Sequence, residues 1–286
     1  MKICVHITFF VTNKKKLDLN KLNKVIKNYL NLSQKTFIFI HTNIDIKKRI
    51  RFVNYVTHNL TNEDPLKLSW KCRSLMEKQK NQFDYFIYSE DDILFNKRNF
   101  KAWLNYKDLC IDNEFNLGFL RTEISRKNKI LWSIDQPKNL DQSIKINKNF
   151  FVVLKNPYCA FWIYDAKEFK NFKKSKFWNL DNWSGHNPYT ELKTREMSAI
   201  GWHGLNMKRY KASIVPIKNF KIVKDFCIQH LDNKYIEQGP FSIKFQKLIS
   251  KDLKDYKDTS FAELVFLYLK FFYKKYLKIN LKNYKK

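Results

Sequence analysis

Asp84-Tyr85-Phe86-Ile87-Tyr88-Ser89-Glu90-Asp91-Asp92-Ile93-Leu94-Phe95 is the stretch on which the reading of this chain turns. Aromatic and β-branched residues up to Tyr88 predict a buried strand. That strand runs into three consecutive carboxylates, Glu90, Asp91 and Asp92, and apolar residues resume at once. Removing each charge from water costs several kcal/mol, so acids at the end of a core strand need a cationic partner. A hard divalent ion with oxygen ligands is the usual one. An acidic strand end lying on the surface is the competing reading, but the apolar flanks are unlike those of a solvated loop.

Upstream, strand and helix patterns alternate. Ile3–Val11 reads as a strand, and Asp18–Leu32 as an amphipathic helix with Leu19, Leu22, Val25, Ile26 and Leu30 on one face. Thr36–His41 and Arg51–Val56 read as strands and Leu66–Gln82 as a helix. This order predicts an α/β fold with a mostly parallel, Rossmann-like sheet flanked by helices. Ligands of such sheets sit beyond the carboxyl ends of the strands, where Glu90, Asp91 and Asp92 fall.

With 286 residues, 44% of them hydrophobic, the chain can build one large core. Only 5 Gly and 6 Pro argue against a loop-rich or disordered protein. A formal charge of +28 raises nucleic acid or an anionic membrane as partners. Lysines scattered among Asn, Ile and Phe, without Arg-rich patches or a base-reading motif, weaken the nucleic-acid reading. Five dispersed cysteines with no Cys-x-x-Cys pair predict neither a disulfide framework nor a zinc site, and fit a cytoplasmic protein. No apolar run is long enough for a transmembrane helix.

Downstream, Asn99–Asp112 and 165–177 read as helices. Leu117–Ile124, Ile130–Ile134, Phe150–Leu154 and Cys159–Tyr164 read as strands, the last pairing with a neighbour among these. Trp178–Pro188 is an aromatic loop and Thr190–Leu205 a helix, with further strands near Ile214 and Phe220. Ser260 and Glu263 form a capping-box pattern opening an amphipathic helix over about 260–280. Its wide apolar face and its lysines at 270, 274 and 278 suit either packing on the domain or docking on an anionic membrane. The expected organisation is a catalytic domain over 1–240, divided at 95/96 into nucleotide and acceptor halves, and a helical extension over 241–286.

Glu90-Asp91-Asp92 after Phe86-Ile87-Tyr88, His41-Thr42-Asn43 at a strand end, and Ile228-Gln229-His230-Leu231-Asp232-Asn233 late in the core together resemble the GT-A fold of nucleotide-sugar-dependent glycosyltransferases. The resemblance spans roughly residues 1–235 and is one of pattern order. It implies a single GT-A-like domain moving a sugar from a nucleotide-sugar donor to a glycan, lipid-linked or protein acceptor. It also implies Mn2+ or Mg2+ on Asp92, Glu90 and His230, with His41, Asn43, Arg73, Glu90 and Asp91 toward the donor. Glu196 would be the base at the acceptor, with Asp181 and Asp135 in reserve; His186, His203 and several tryptophans are candidates for the cleft. A metal-dependent nucleotidyltransferase or phosphohydrolase is the alternative, although no Gly-rich phosphate loop is present.

Overall fold

The computed structural model describes residues 1–12, 19–47, 50–183, 192–204, 207, 209–238, 241–257, 269 and 273. Strand β1 (Ile3–Phe9) is buried at every position. It lies parallel to β2 (Thr36–Thr42) on one side and, beyond β2, β3 (Val53–Thr57). On its other side β1 lies parallel to β4 (Tyr85–Glu90). A strand with parallel neighbours and helices over both faces has no solvent side, which is why β1 is mostly apolar and even its His6 and Thr8 are buried. Helix α1 (Asn20–Leu30) buries Leu22, Val25, Ile26 and Tyr29, one helical stripe. Helix α2 (Leu68–Gln79) buries Cys72, Arg73, Met76 and Gln79. Registers β1–β2 and β1–β4 set Thr8, His41 and Glu90 in one row across the carboxyl edge.

The chain then turns through Asp91 and Asp92 into β5 (Ile93–Leu94) and α3 (Lys97–Asp112), whose start is capped by the Asn96 side chain. Strands β6 (Asn116–Leu117), β7 (Leu120–Ile124), β8 (Leu131–Ser133), β9 (Leu140–Ile146), β10 (Asn149–Val153) and β11 (Phe161–Asp165) follow, then α4 (Ala166–Lys174) and α5 (Thr194–Ala199). The described chain closes with β12 (Ser213–Lys218), β13 (Lys221–Ile222), β14 (Cys227–His230), β15 (Ile243–Lys244) and β16 (Ile249–Asp255). β11 completes the first sheet by pairing antiparallel with β4, not with its nearer sequence neighbours as expected. Buried aromatics reward that choice: Trp162 stacks on Tyr88 and Phe161 on Phe95.

The remaining strands form two mixed sheets, β13-β12-β10-β9-β16 with β6 beside β12, and β15-β8-β7-β14-β5. One buried apolar cluster runs from Ile3 to Leu248. The helix expected over 190–205 is the short α5, because Gly201 turns back at φ +67° under the Tyr164 hydroxyl. Within residues 243–255, expected in a helical extension, two strands join the mixed sheets across a single 3-10 turn: β15 pairs with β8 and β16 with β9. The amphipathic helix over 260–280 lies outside the described residues, apart from positions 269 and 273. Among the described residues no helix is long and apolar enough to cross a membrane.

Candidate metal and nucleotide site

Strand pairing brings the acidic turn to a histidine far along the chain. β14 runs antiparallel to β5, with His230 opposite Ile93, so His230 stands beside Asp92. β7 flanks β14 on the other side with Thr122 opposite Gln229, which sets Glu123 next to His230. The imidazole is held between two carboxylates: Nε2 lies 3.0 Å from Asp92 Oδ2 and Nδ1 lies 2.5 Å from Glu123 Oε1. Glu123 is completely buried and also accepts the backbone N–H groups of Lys234 at 3.2 Å and Tyr235 at 2.9 Å. It therefore fixes the ring, leaving Nε2 aimed at Asp92.

Asp92, His230 and Asp232 each offer a ligand atom, all within 4.8 Å of one another. An ion with bonds of about 2.1 Å holds neighbouring ligand atoms roughly 3 Å apart, which is the Asp92–His230 separation. Asp92 Oδ1 is buried without a hydrogen-bond partner, a costly state for a carboxylate that a cation relieves. Burial, with Asp92 and Glu90 alongside, pushes the Asp91 carboxyl well above the usual carboxylate range. Burial does the same to Glu90, against the pull of Arg195. Acids that crowd one another in this way ask for positive charge, so the donor set fits a hard divalent ion. Lys21 and Lys234 meet Asp232 from the solvent side.

A cleft of about 350 Å³ opens at the carboxyl edge of the parallel sheet; Glu90 and Asp91 line it, and Asp92, His230 and Asp232 do not. Thr8 and Phe10 form one wall, Leu66 and Ser69 from the turn into α2 another, and Glu90 and Asp91 the floor. Arg195 reaches in from α5, its Nε 3.5 Å from Glu90 Oε1. A guanidinium in such a cleft presents a fork suited to phosphate or carboxylate oxygens. Four hydrogen bonds fix α5: Trp70 Nε1 to Thr194 O, Arg73 Nη2 and Trp162 Nε1 to Ser198 O, and Ser198 Oγ to Ser69 O. Behind Glu90, the Tyr158 hydroxyl donates to Oε1 at 3.4 Å. Arg121 packs over the rings of Tyr158 and Tyr235 and makes a two-pronged bond to Asp135.

Of the residues singled out from the sequence, Glu90, Asp91, Asp92 and His230 come together here. Glu90 faces Arg195 and stands apart from the Asp92–His230–Asp232 group. Glu196 is beside Arg195, with Oε1 3.8 Å from its Nη2 and Oε2 buried without a partner. Others are placed elsewhere. His41 is fully buried under α2, with both ring nitrogens bonded to His6 and His58 at 2.8 Å, so it has none left for a ligand. Asn43 uses its amide to clamp the backbone of Val11. Arg73 is buried in a box of Trp70, Trp162, Phe172 and Trp178, clear of the cleft. Asp181 is exposed on a short turn, Asp135 is spent on Arg121, and His203 bonds Tyr164. His186 lies outside the described residues.

Glu123 is a part of the site that the sequence motifs do not include; Asp232 falls within the late histidine motif and Arg195 beside Glu196 in the acceptor segment, neither with a role of its own there. The sequence does carry a sign of Glu123: Arg121 and Glu123 interrupt a strand that is otherwise apolar or neutral, and charges inside a strand have to be paired.

No family model and no curated protein matches this sequence. Among solved structures, the chain resembles a CMP:2-keto-3-deoxy-manno-octonic acid synthetase complexed with CTP. Identity is 11%, over 61% of this chain and 78% of the other, with a TM-score of 0.35. A likeness this distant leaves function to be argued from the site.

Proposed function

We propose that the protein is a divalent-metal-dependent glycosyltransferase that takes a nucleotide-sugar donor in the cleft at the carboxyl edge of the parallel sheet. The acceptor would be a glycan, a lipid-linked sugar or a protein. One observation carries the reading: the acidic turn after β4 gives Glu90 and Asp91 to a cleft of about 350 Å³ and the next residue, Asp92, to a group with His230 and Asp232. That volume is within the range of small-ligand pockets.

Asp92, His230 and Asp232 would hold Mn2+ or Mg2+, which when bound offsets the charge that develops on a departing nucleoside diphosphate. The chain's own groups do the rest. Arg195 supplies a second positive charge in the cleft, aimed by its contact with Glu90. Glu196, half-buried next to it, serves as base toward an acceptor hydroxyl. Tyr158 and Arg121 keep Glu90 in place.

The test is turnover of UDP-, GDP- and CMP-sugars by the full chain with Mn2+ or Mg2+. At least one donor should be consumed with release of its nucleotide, and Asp92→Asn should reduce the rate by about 10²-fold or more while leaving the circular dichroism unchanged. Undiminished turnover in excess chelator contradicts the reading. Release of pyrophosphate from a nucleoside triphosphate and a sugar would assign nucleotidyl transfer to the same site instead.

A further inference from the structure

Two hairpin tips stand side by side at one end of the second sheet. β9 turns into β10 through Asn147 and Lys148, and β12 turns into β13 through Asn219 and Phe220. β10 and β12 are neighbours, with Phe150 opposite Ile217, so the two turns are adjacent. Phe150 is 51% exposed and Phe220 71% exposed, among the most open large apolar side chains described. Lys145, Lys148, Lys218 and Lys221 lie on these strand ends and turns, all exposed, with Lys145 Nζ 5.5 Å from the centre of the Phe150 ring, and none forms an ion pair among the described residues. Residues 142–154 and 211–224 contain no Asp or Glu.

Phe220 is the telling residue. Asn219 and Phe220 have φ of 50° and 54°, the signature of a two-residue hairpin turn that favours Asn followed by Gly. A phenylalanine there bears the strain of a left-handed backbone and recovers nothing by packing, since most of its ring is in solvent. Folding alone would place glycine at that position.

We propose that these adjacent tips are a docking surface for an anionic lipid bilayer, in which Phe220 and Phe150 enter the headgroup region and the four lysines meet lipid phosphates and carboxylates. Charge complementarity, with Phe220 at one tip and Phe150 on the strand just beyond the other, favours a bilayer over single-stranded nucleic acid, which binds along grooves lined by stacked rings. The surface is independent of the catalytic reading, and β13 leads within a few residues to β14 and His230.

The experiment is sedimentation of the full chain with phosphatidylcholine vesicles, with and without phosphatidylserine. Wild-type protein should pellet with the anionic vesicles and stay in solution with neutral ones. Phe220→Gly should weaken pelleting while keeping or raising the thermal midpoint, since glycine suits the turn. Replacing Lys148 and Lys218 by Gln should weaken it by roughly 25-fold, about fivefold per lysine. Soluble nucleotide-sugar turnover should be unchanged in both variants, which separates this claim from the assignment of the site. Variants that pellet like wild type overturn the proposal. So does loss of oligonucleotide binding in these variants when wild-type protein ignores anionic vesicles.

Discussion

Which nitrogen His230 offers to the acidic cluster is decided by Glu123, a residue that never reaches the cleft. Burial alone would make the imidazole lose its proton easily, but its hydrogen bonds to Asp92 and Glu123 outweigh burial and carry the pKa up to about 9. At neutral pH a proton must therefore leave before Nε2 can bind an ion. Divalent affinity should accordingly rise with pH toward about 9. Mn2+ calorimetry in buffers of different ionisation enthalpy should show about one proton released from the ring per ion bound. Glu123→Gln should reduce that release and weaken the ion by about 10- to 100-fold, the usual effect of losing such a support. Binding that is independent of pH and untouched by Glu123→Gln would remove His230 from the ligand set. Residues of this kind are hard to read in a sequence, because the partner that gives Glu123 its meaning is in a strand paired much later in the chain.

Among elements, β1, β2 and α2 share a line of hydrogen-bonded side chains running from Gln79 through His6 and His41 to His58. Burial lowers the pKa of His6 to about 3 and that of His41 to about 2. Both rings are thus neutral in the folded protein, whereas the unfolded chain takes up protons below about pH 6.5. Their contribution to stability is complete above that pH and falls as the solution is acidified. By about pH 5 the loss should approach 2 kcal/mol per ring. Denaturant unfolding at neutral pH and at about pH 5 measures it. His41→Leu should be less stable at neutral pH but vary less between the two conditions; parallel curves would contradict this account. Period-two alternation correctly puts His41 at the carboxyl edge of a parallel sheet. It cannot say that α2 covers that face, which is why the residue looks like a ligand in the sequence and is a core group in the structure.

At the scale of the whole molecule, the parallel half was legible because its signals are local. The stripe of α1, the largely apolar β1 and the acidic end of β4 each lie within a short window. The mixed sheets were not, since β5, β8 and β15 are two- or three-residue strands whose pairing depends on distant segments. The site inherits that division. Glu90, Asp91 and Asp92 were visible, and His230 was found as a late histidine, but Asp232, Glu123 and Arg195 gained roles only when the sheets were assembled. The central claim is that this assembled edge binds a nucleotide diphosphate together with a divalent ion. Titration of UDP, GDP and CDP into the full chain, with Mn2+ and then with excess chelator, tests it most directly. At least one of them should bind saturably, and that binding should disappear with chelator and in Asp92→Asn. Equal binding in chelator, or binding unaffected by Asp92→Asn, would contradict it.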